Sequence, residues 1–202
     1  MKNYNYTQHW FIDSDLKTYL PVGTQDELHI LEIGSFEGKS TVWFLENLLQ
    51  HPKSTITCID PWTSYSQNTN SFNSYSQDNA EWDFSTHKDT FLYNITESNE
   101  SQKVITHQGY SHKVLPILIT QDKKYDLIFI DGNHTSPFVL TDAVMSWYLL
   151  HQFGTLLFDD YFWESTGPTC EPKLAIDSFT NVFKDYHEVI WEGHRKAIKK
   201  LQ

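Results

Sequence analysis

From residue 28 onward, short apolar runs alternate with stretches in which apolar positions recur every three or four residues. That alternation predicts strands and helices in turn. Ile30, Leu31 and Ile33 have the composition of a buried strand, and Trp43, Phe44, Leu45, Leu48 and Leu49 then fall at helical spacing. Thr55 to Asp60 is a β-branched second strand, and Phe91, Leu92 and Ile95 share one face of a helix that ends near Ser98 and Asn99. Lys103 to Gly109 reads as a third strand, with a helix opening at Tyr110 and Ser111. Tyr125 to Asp131 is almost wholly apolar, as a parallel strand covered on both faces must be. A helix from about 136 to 151 follows, then a fifth strand from Phe153 to Asp160, and an amphipathic helix from Lys173 to Phe183. Val189 to Trp191 and Ala197 to Ile198 form a terminal pair of strands, with Gly193 marking a tight reversal between them. Strand and helix in alternation imply an α/β fold, a Rossmann-like, doubly wound and mostly parallel seven-stranded sheet with right-handed crossovers, helices on both faces and an antiparallel terminal strand.

Two stretches stand outside this pattern. Residues 1–27 are polar and aromatic, with a short helix capped by Ser14 and stopped by Pro21 and Gly23, expected to lie across the sheet edge or the mouth of a site. Residues 63–90 are rich in Ser, Asn and Gln, and their aromatics Tyr65, Phe72, Tyr75, Trp82 and Phe84 suit either a lid over a substrate or a disordered insertion. A length of 202 residues fits one domain over 1–202. The net charge of −11 includes a single arginine, Arg195, which argues against a nucleic-acid surface. No apolar stretch approaches the ~20 residues of a membrane span, and residues 1–8 lack the apolar centre of a signal peptide, so a cytoplasmic protein is expected. With two cysteines, Cys58 and Cys170, no disulfide scaffold is expected.

Where the first strand meets the first long helix the chain reads Glu32-Ile-Gly34-Ser35-Phe-Glu-Gly38-Lys-Ser. Glycines let the backbone turn sharply and come close to a ligand, and the helix N-terminus beyond offers unpaired N–H groups. A Walker A phosphate loop needs four residues between its glycines, and three stand here. A dinucleotide fingerprint would place glycines at 36 and 39, where Phe36 and Lys39 stand. The strand-end acid Glu32 followed by Gly34 and Gly38 resembles instead the first motif of class I S-adenosylmethionine (SAM)-dependent methyltransferases, and an acidic loop suits a cationic ligand without phosphate.

Acids close three other strands. Asp60 ends the second, where a carboxylate in a doubly wound sheet accepts the hydroxyls of a ribose; Asp131 ends the fourth and Asp159 and Asp160 end the fifth. Carboxylates that converge repel one another unless they are protonated or hold a cation, and oxygen donors with open positions suit Mg2+. His134 adds a nitrogen nearby.

The segments 31–41, 58–62, 130–150 and 156–161 together resemble SAM-dependent small-molecule O-methyltransferases related to the enzymes that act on macrolide sugars. The resemblance implies SAM held by Glu32, Gly34, Ser35, Gly38 and Asp60, with Ser111 near the adenine. It also implies Mg2+ held by Asp131, Asp159 and Asp160, and methyl transfer to a hydroxyl of a small molecule with His134 and Asp131 catalytic. The family's acid after the Asp-Gly pair is Asn133 here. Neither the acceptor nor homo-oligomerisation is fixed by these residues. A non-catalytic SAM-binding or regulatory protein of the same fold is the alternative.

Overall fold

The computed structural model describes residues 2–63, 86–163 and 171–202. The aromatic residues at 65, 72, 75, 82 and 84, and Cys170, lie outside the described residues, and with them the expectation of a lid or a disordered insertion.

Strands β1 (His29–Ile33), β2 (Thr55–Asp60), β3 (Val104–Gln108), β4 (Tyr125–Ile130), β5 (Leu150–Phe158), β6 (His187–Glu192) and β7 (Lys196–Lys200) form one sheet in the order β3-β2-β1-β4-β5-β7-β6. Every pairing among β1 to β5 is parallel, and β7 runs antiparallel to both β5 and β6. The terminal pair predicted around Gly193 is therefore a hairpin whose second strand slots between the first and the body of the sheet.

Among the described residues six α-helices cover the two faces: α1 (Leu16–Tyr19), α2 (Lys39–Asn47) and α3 (His87–Glu97) on one, α4 (Ser111–Thr120), α5 (Ser136–Leu149) and α6 (Pro172–Val182) on the other. Successive strand residues face opposite ways, so each buried strand feeds both cores. Ile30, Phe129 and Leu157 pack with Phe44 and Phe91, while Leu31, Ile33 and Ile128 pack with Leu115, Val139 and Ile176.

Two predicted boundaries shift. Asp15, not Ser14, stands at the N-cap of α1. Helix α5 ends at Leu149 and passes into β5 with no intervening loop. The first pairing sets Tyr125 opposite Leu150, after which the register jumps to Leu127 opposite Thr155. Phe153, exposed and at φ 63°, sits in that irregularity, so an apolar residue that looked like the start of a core strand lies outside the core.

Residues 2–15 run beside α2 and α3 and then over the β1–α2 turn. Asn5 and Asn94 exchange hydrogen bonds at 2.7 Å in both directions, Trp43 Nε1 donates to Asp13 Oδ2 at 2.9 Å, and Trp10 stacks on Phe36 with ring centroids 5.5 Å apart.

Candidate active site

Parallel pairing aligns the carboxyl ends of the strands, and the backbone continues the ladder one residue past them. Gly34 N–H donates to Ile59 O at 2.9 Å, Asp131 N–H to Ile33 O at 2.8 Å, and Asp159 N–H to Ile130 O at 3.0 Å. Asp60, Gly34, Asp131 and Asp159 thus stand side by side along one rim. The rim spans β1 and β4, the strands between which the winding of the sheet reverses. In doubly wound sheets the ligand crevice opens at that reversal.

The β1–α2 turn is held from several sides. Asp60 Oδ2 accepts the backbone N–H groups of Ser35 at 3.0 Å and Phe36 at 2.9 Å, and its Oδ1 accepts that of Trp62 at 2.7 Å. Burial raises the Asp60 pKa, and these three N–H groups oppose the rise. Trp62 Nε1 donates to Phe36 O at 2.8 Å. Gly34, at φ 88°, is required by crowding, since a Cβ there would stand 2.0 Å from the carbonyl oxygen of Asp131. Gly38 caps α2 at φ 81°, and its Cβ would meet the Phe91 ring at 2.9 Å. Phe36, Trp62 and Asp160, which follow the ends of β1, β2 and β5, also adopt positive φ, and for residues with side chains that conformation is stored at sites the surrounding fold over-determines.

Glu32 is fully buried. Its carboxylate accepts the hydroxyl of Ser40 at 2.5 Å and that of Thr41, and burial raises its pKa despite those bonds. It shares the α2 face with Ile30, so it braces the turn from behind and presents no surface to a ligand. Glu37 is buried too, taking the backbone N–H and the hydroxyl of Thr7, each at 2.7 Å. The acidity expected to suit a cationic ligand is directed into the fold. What the turn offers the crevice is backbone and the half-buried Asp60; the buried Ser35 Oγ lies beside Glu32 and Cys58.

Beyond Gly34 the rim is a cluster of acids and imidazoles. His134 Nε2 lies 3.6 Å from Asp131 Oδ1 and 3.2 Å from Asp160 Oδ2, and His194 Nε2 lies 3.6 Å from both Asp159 Oδ1 and Asp160 Oδ1. Burial and the charge of Asp159 hold the Asp131 pKa well above the ordinary carboxylate range. Burial alone would lower His134, but its hydrogen bond to Asp131 and the charges of Asp160, Asp131 and Asp159 outweigh that and raise it. Asp159, 9% exposed, accepts Asp160 N–H at 2.9 Å on Oδ1 and Arg195 Nη2 at 2.9 Å on Oδ2. Burial raises Asp159 and the guanidinium opposes it.

A family described as a methyltransferase domain matches residues 31–161, the span from β1 to just past Asp160. The chain belongs to that family. A viral relative, an uncharacterized protein of Acanthamoeba polyphaga mimivirus, is 30% identical over 166 residues; the match covers 80% of this chain and 66% of the relative. Among solved structures, the O-methyltransferase TomG of Streptomyces achromogenes, involved in tomaymycin synthesis and solved with SAM, superposes with a TM-score of 0.62 at 15% identity, over 88% of this chain and 75% of TomG. An O-methyltransferase of Bacillus cereus solved with SAH gives 0.60 at 17% identity, over 85% of this chain and 74% of that one. The fold is that of SAM-dependent methyltransferases.

Within this methyltransferase domain Ser111 opens α4 and is hydrogen-bonded to Asp142 of α5. Asp142 is 1% exposed, its Oδ1 has no partner, and burial raises its pKa to about 7. The sequence reading missed Asp142, His194 and Arg195. Arg195 is 1% exposed and donates Nη1 to Ile12 O at 2.6 Å and to Asp15 Oδ1 at 2.7 Å, besides its bond to Asp159. Its guanidinium lies 5.2 Å from the centre of the Phe11 ring. Being the chain's sole arginine was its one sequence signal.

Proposed function

We propose that this methyltransferase domain transfers a methyl group from SAM to a hydroxyl of a small molecule, with a divalent cation, Mg2+ on the family resemblance, at the acidic cluster. One observation carries the reading: Asp60 and Ser35 beside Gly34, and Asp131, His134, Asp159 and Asp160 beyond it, share a single rim at the reversal of the sheet. The O-methyltransferase neighbours support the reaction type.

The residues suit both groups. For SAM, the turn supplies backbone at Gly34 and Ser35 without a phosphate-binding lysine arrangement, and an Asp60 carboxylate with lone pairs left for ribose hydroxyls. Ser111, at the start of α4, stands at the adenine end. For the cation, Asp131 and Asp160, with Asp159 beside them, present carboxylate oxygens, and three crowded carboxylates need a counter-charge that Arg195 supplies to Asp159 alone.

SAM supplies the methyl as an electrophilic sulfonium carbon; the acceptor oxygen forms the new bond as the carbon–sulfur bond breaks in line, the sulfur keeps that electron pair, and SAH leaves. A divalent cation at the cluster would make the acceptor hydroxyl easier to deprotonate. With both groups bound, the rim would bring acceptor and methyl together, and approximation of this kind is worth several kcal/mol, of the order of 7–11 in the best cases. His134 takes the hydroxyl proton on Nε2. The neighbouring acids raise its pKa, and charge compensation at Asp131 and Asp160 would oppose that rise.

The Arg195–Asp159 pair favours a second reading, a SAM-binding protein whose acids serve the fold. Incubation with methyl-labelled SAM and a panel of hydroxylated sugars and phenols, with EDTA or with added Mg2+ or Mn2+, separates the two. Label transfer that needs the cation, and that Asp160→Asn abolishes while SAM affinity changes less than about threefold, is the expected result. SAM binding without transfer to any acceptor would favour the second reading, and no SAM binding would defeat both.

A further inference from the structure

The acidic cluster has two imidazoles, one on each side of Asp160. Asp160 Oδ2 faces His134, which comes from the segment after β4, and Asp160 Oδ1 faces His194, which comes from the β6–β7 hairpin. Two triads result, Asp131–His134–Asp160 and Asp159–Asp160–His194, and within each the donor atoms lie within 4.8 Å of one another. Arg195 engages Asp159 Oδ2, which leaves Oδ1 as the oxygen turned toward His194.

The hairpin is fixed where it meets the rim. Tyr161 N–H donates to His194 O at 2.9 Å, Gly193 N–H donates to Arg195 O at 2.8 Å, and the next side chain, Arg195, is buried against Asp159. The His194 side chain itself is half-exposed, at 51%, over the carboxylates. The packing of the hairpin does not need an imidazole there, whereas a ligand set would. Carboxylate and water oxygens suit Mg2+, while imidazole nitrogen suits first-row transition ions, whose affinity rises steeply as nitrogen replaces oxygen.

We propose that His194 is a ligand of the cation at this cluster and that its imidazole beside the carboxylates makes the site select a first-row transition ion over Mg2+. This rests on the cation reading above and deepens it. The full chain, stripped with EDTA, is titrated with Co2+ while the visible d–d absorption is followed, and Mg2+ is added in competition. His194→Ala and Asp160→Asn are treated alike, with circular dichroism to check folding.

The expected result is at least tenfold preference of the wild-type chain for Co2+ over Mg2+. His194→Ala should weaken Co2+ by tenfold or more, since even the loss of a group that only orients a ligand costs about 10–100-fold, and change Mg2+ affinity less than twofold. Asp160→Asn should lose both ions. Co2+ affinity unchanged in His194→Ala, or equal affinities of the wild-type chain for the two ions, would overturn the proposal while leaving the cation site in place. A wild-type chain that binds neither ion would overturn the cation reading and this proposal with it.

Discussion

Replacing Arg195 by Met keeps a stem of similar length against Phe11 and deletes the charge. Three hydrogen bonds are lost, two of them to carboxylates, and bonds of this kind contribute about 1.5–3 kcal/mol each in mutational series. The sum overstates the effect, because desolvating the guanidinium costs much of that gain and its Nε is already buried without a partner. The residual is set by what the substitution leaves behind. Asp159, 9% exposed and beside Asp160 and Asp131, would lose its one buried counter-charge, and breaking such a pair from one side costs about 3–5 kcal/mol. Urea unfolding of the full chain without added metal, followed by tryptophan fluorescence, should show that loss. Adding Asp159→Asn should restore about 2 kcal/mol, since the stranded charge is then gone, and Arg195→Lys should fall between because an ammonium cannot reach both Asp15 and Asp159 as the guanidinium fork does. A loss under about 1 kcal/mol, or strict additivity of the two substitutions, would show that Asp159 is solvated and would refute the account of this pair.

Gly34→Ala and Gly23→Ala form a matched pair. Both glycines have φ near +80°, but nothing lies within 4 Å of a Cβ built on Gly23, whereas one on Gly34 meets the Asp131 carbonyl at 2.0 Å. Thermal unfolding should show roughly 1–2 kcal/mol lost for Gly23→Ala, the cost of left-handed backbone, and a far larger loss for Gly34→Ala; equal losses would mean that the turn and the end of β4 do not touch. Asp142→Asn tests a buried acid. Burial raises the folded pKa from 3.8 to about 7, so between those values the folded chain binds more protons than the unfolded one and Asp142 makes stability fall as pH rises. Asparagine should remove up to about 1.4 kcal/mol per pH unit of that downward slope between pH 4 and 7, read from urea midpoints, and an unchanged slope would show that Asp142 is hydrated.

The alternating elements were legible because a sheet covered on both faces demands continuous apolar runs, and helices facing it demand apolar positions three and four apart. The start of β5 was not legible: the strand begins at Leu150, three residues before Phe153, and Phe153 sits in a register irregularity that only the pairing with β4 reveals. The strand-end acids were legible because parallel strands place their ends on one rim whatever the loops do. Their individual duties were not. Glu32 and Asp60 look alike as acids closing strands, yet one lies under α2 and the other beside Gly34. The period of two does not separate them, since Glu32 follows Ile30 and Asp60 follows Cys58 on the same face; what differs is depth, Glu32 lying inside β1 and Asp60 at the last residue of β2. Arg195 and His194 carried no local clue, because Asp159 is 36 residues away along the chain and is brought near by the slotting of β7 beside β5.

Residues 7–15 connect the two halves of the rim. At one end Thr7 gives both its N–H and its hydroxyl to Glu37, in the turn that Asp60 holds. At the other, Ile12 and Asp15 meet Arg195, which holds Asp159. Between them Trp10 stacks on Phe36 and Phe11 packs edge-on to Trp43 and Phe129. Displacing this stretch would uncover Glu37 and Arg195, each 1% exposed, leaving Glu37 with His87 3.7 Å away and Arg195 with Asp159. Charges are costly to bury without partners, so the segment and the rim are coupled by the same free energy that keeps those charges inside. The N-terminal stretch, which has the least regular structure of the described chain, is therefore part of what sets the distance between the turn beside Gly34 and the carboxylates at the end of β5.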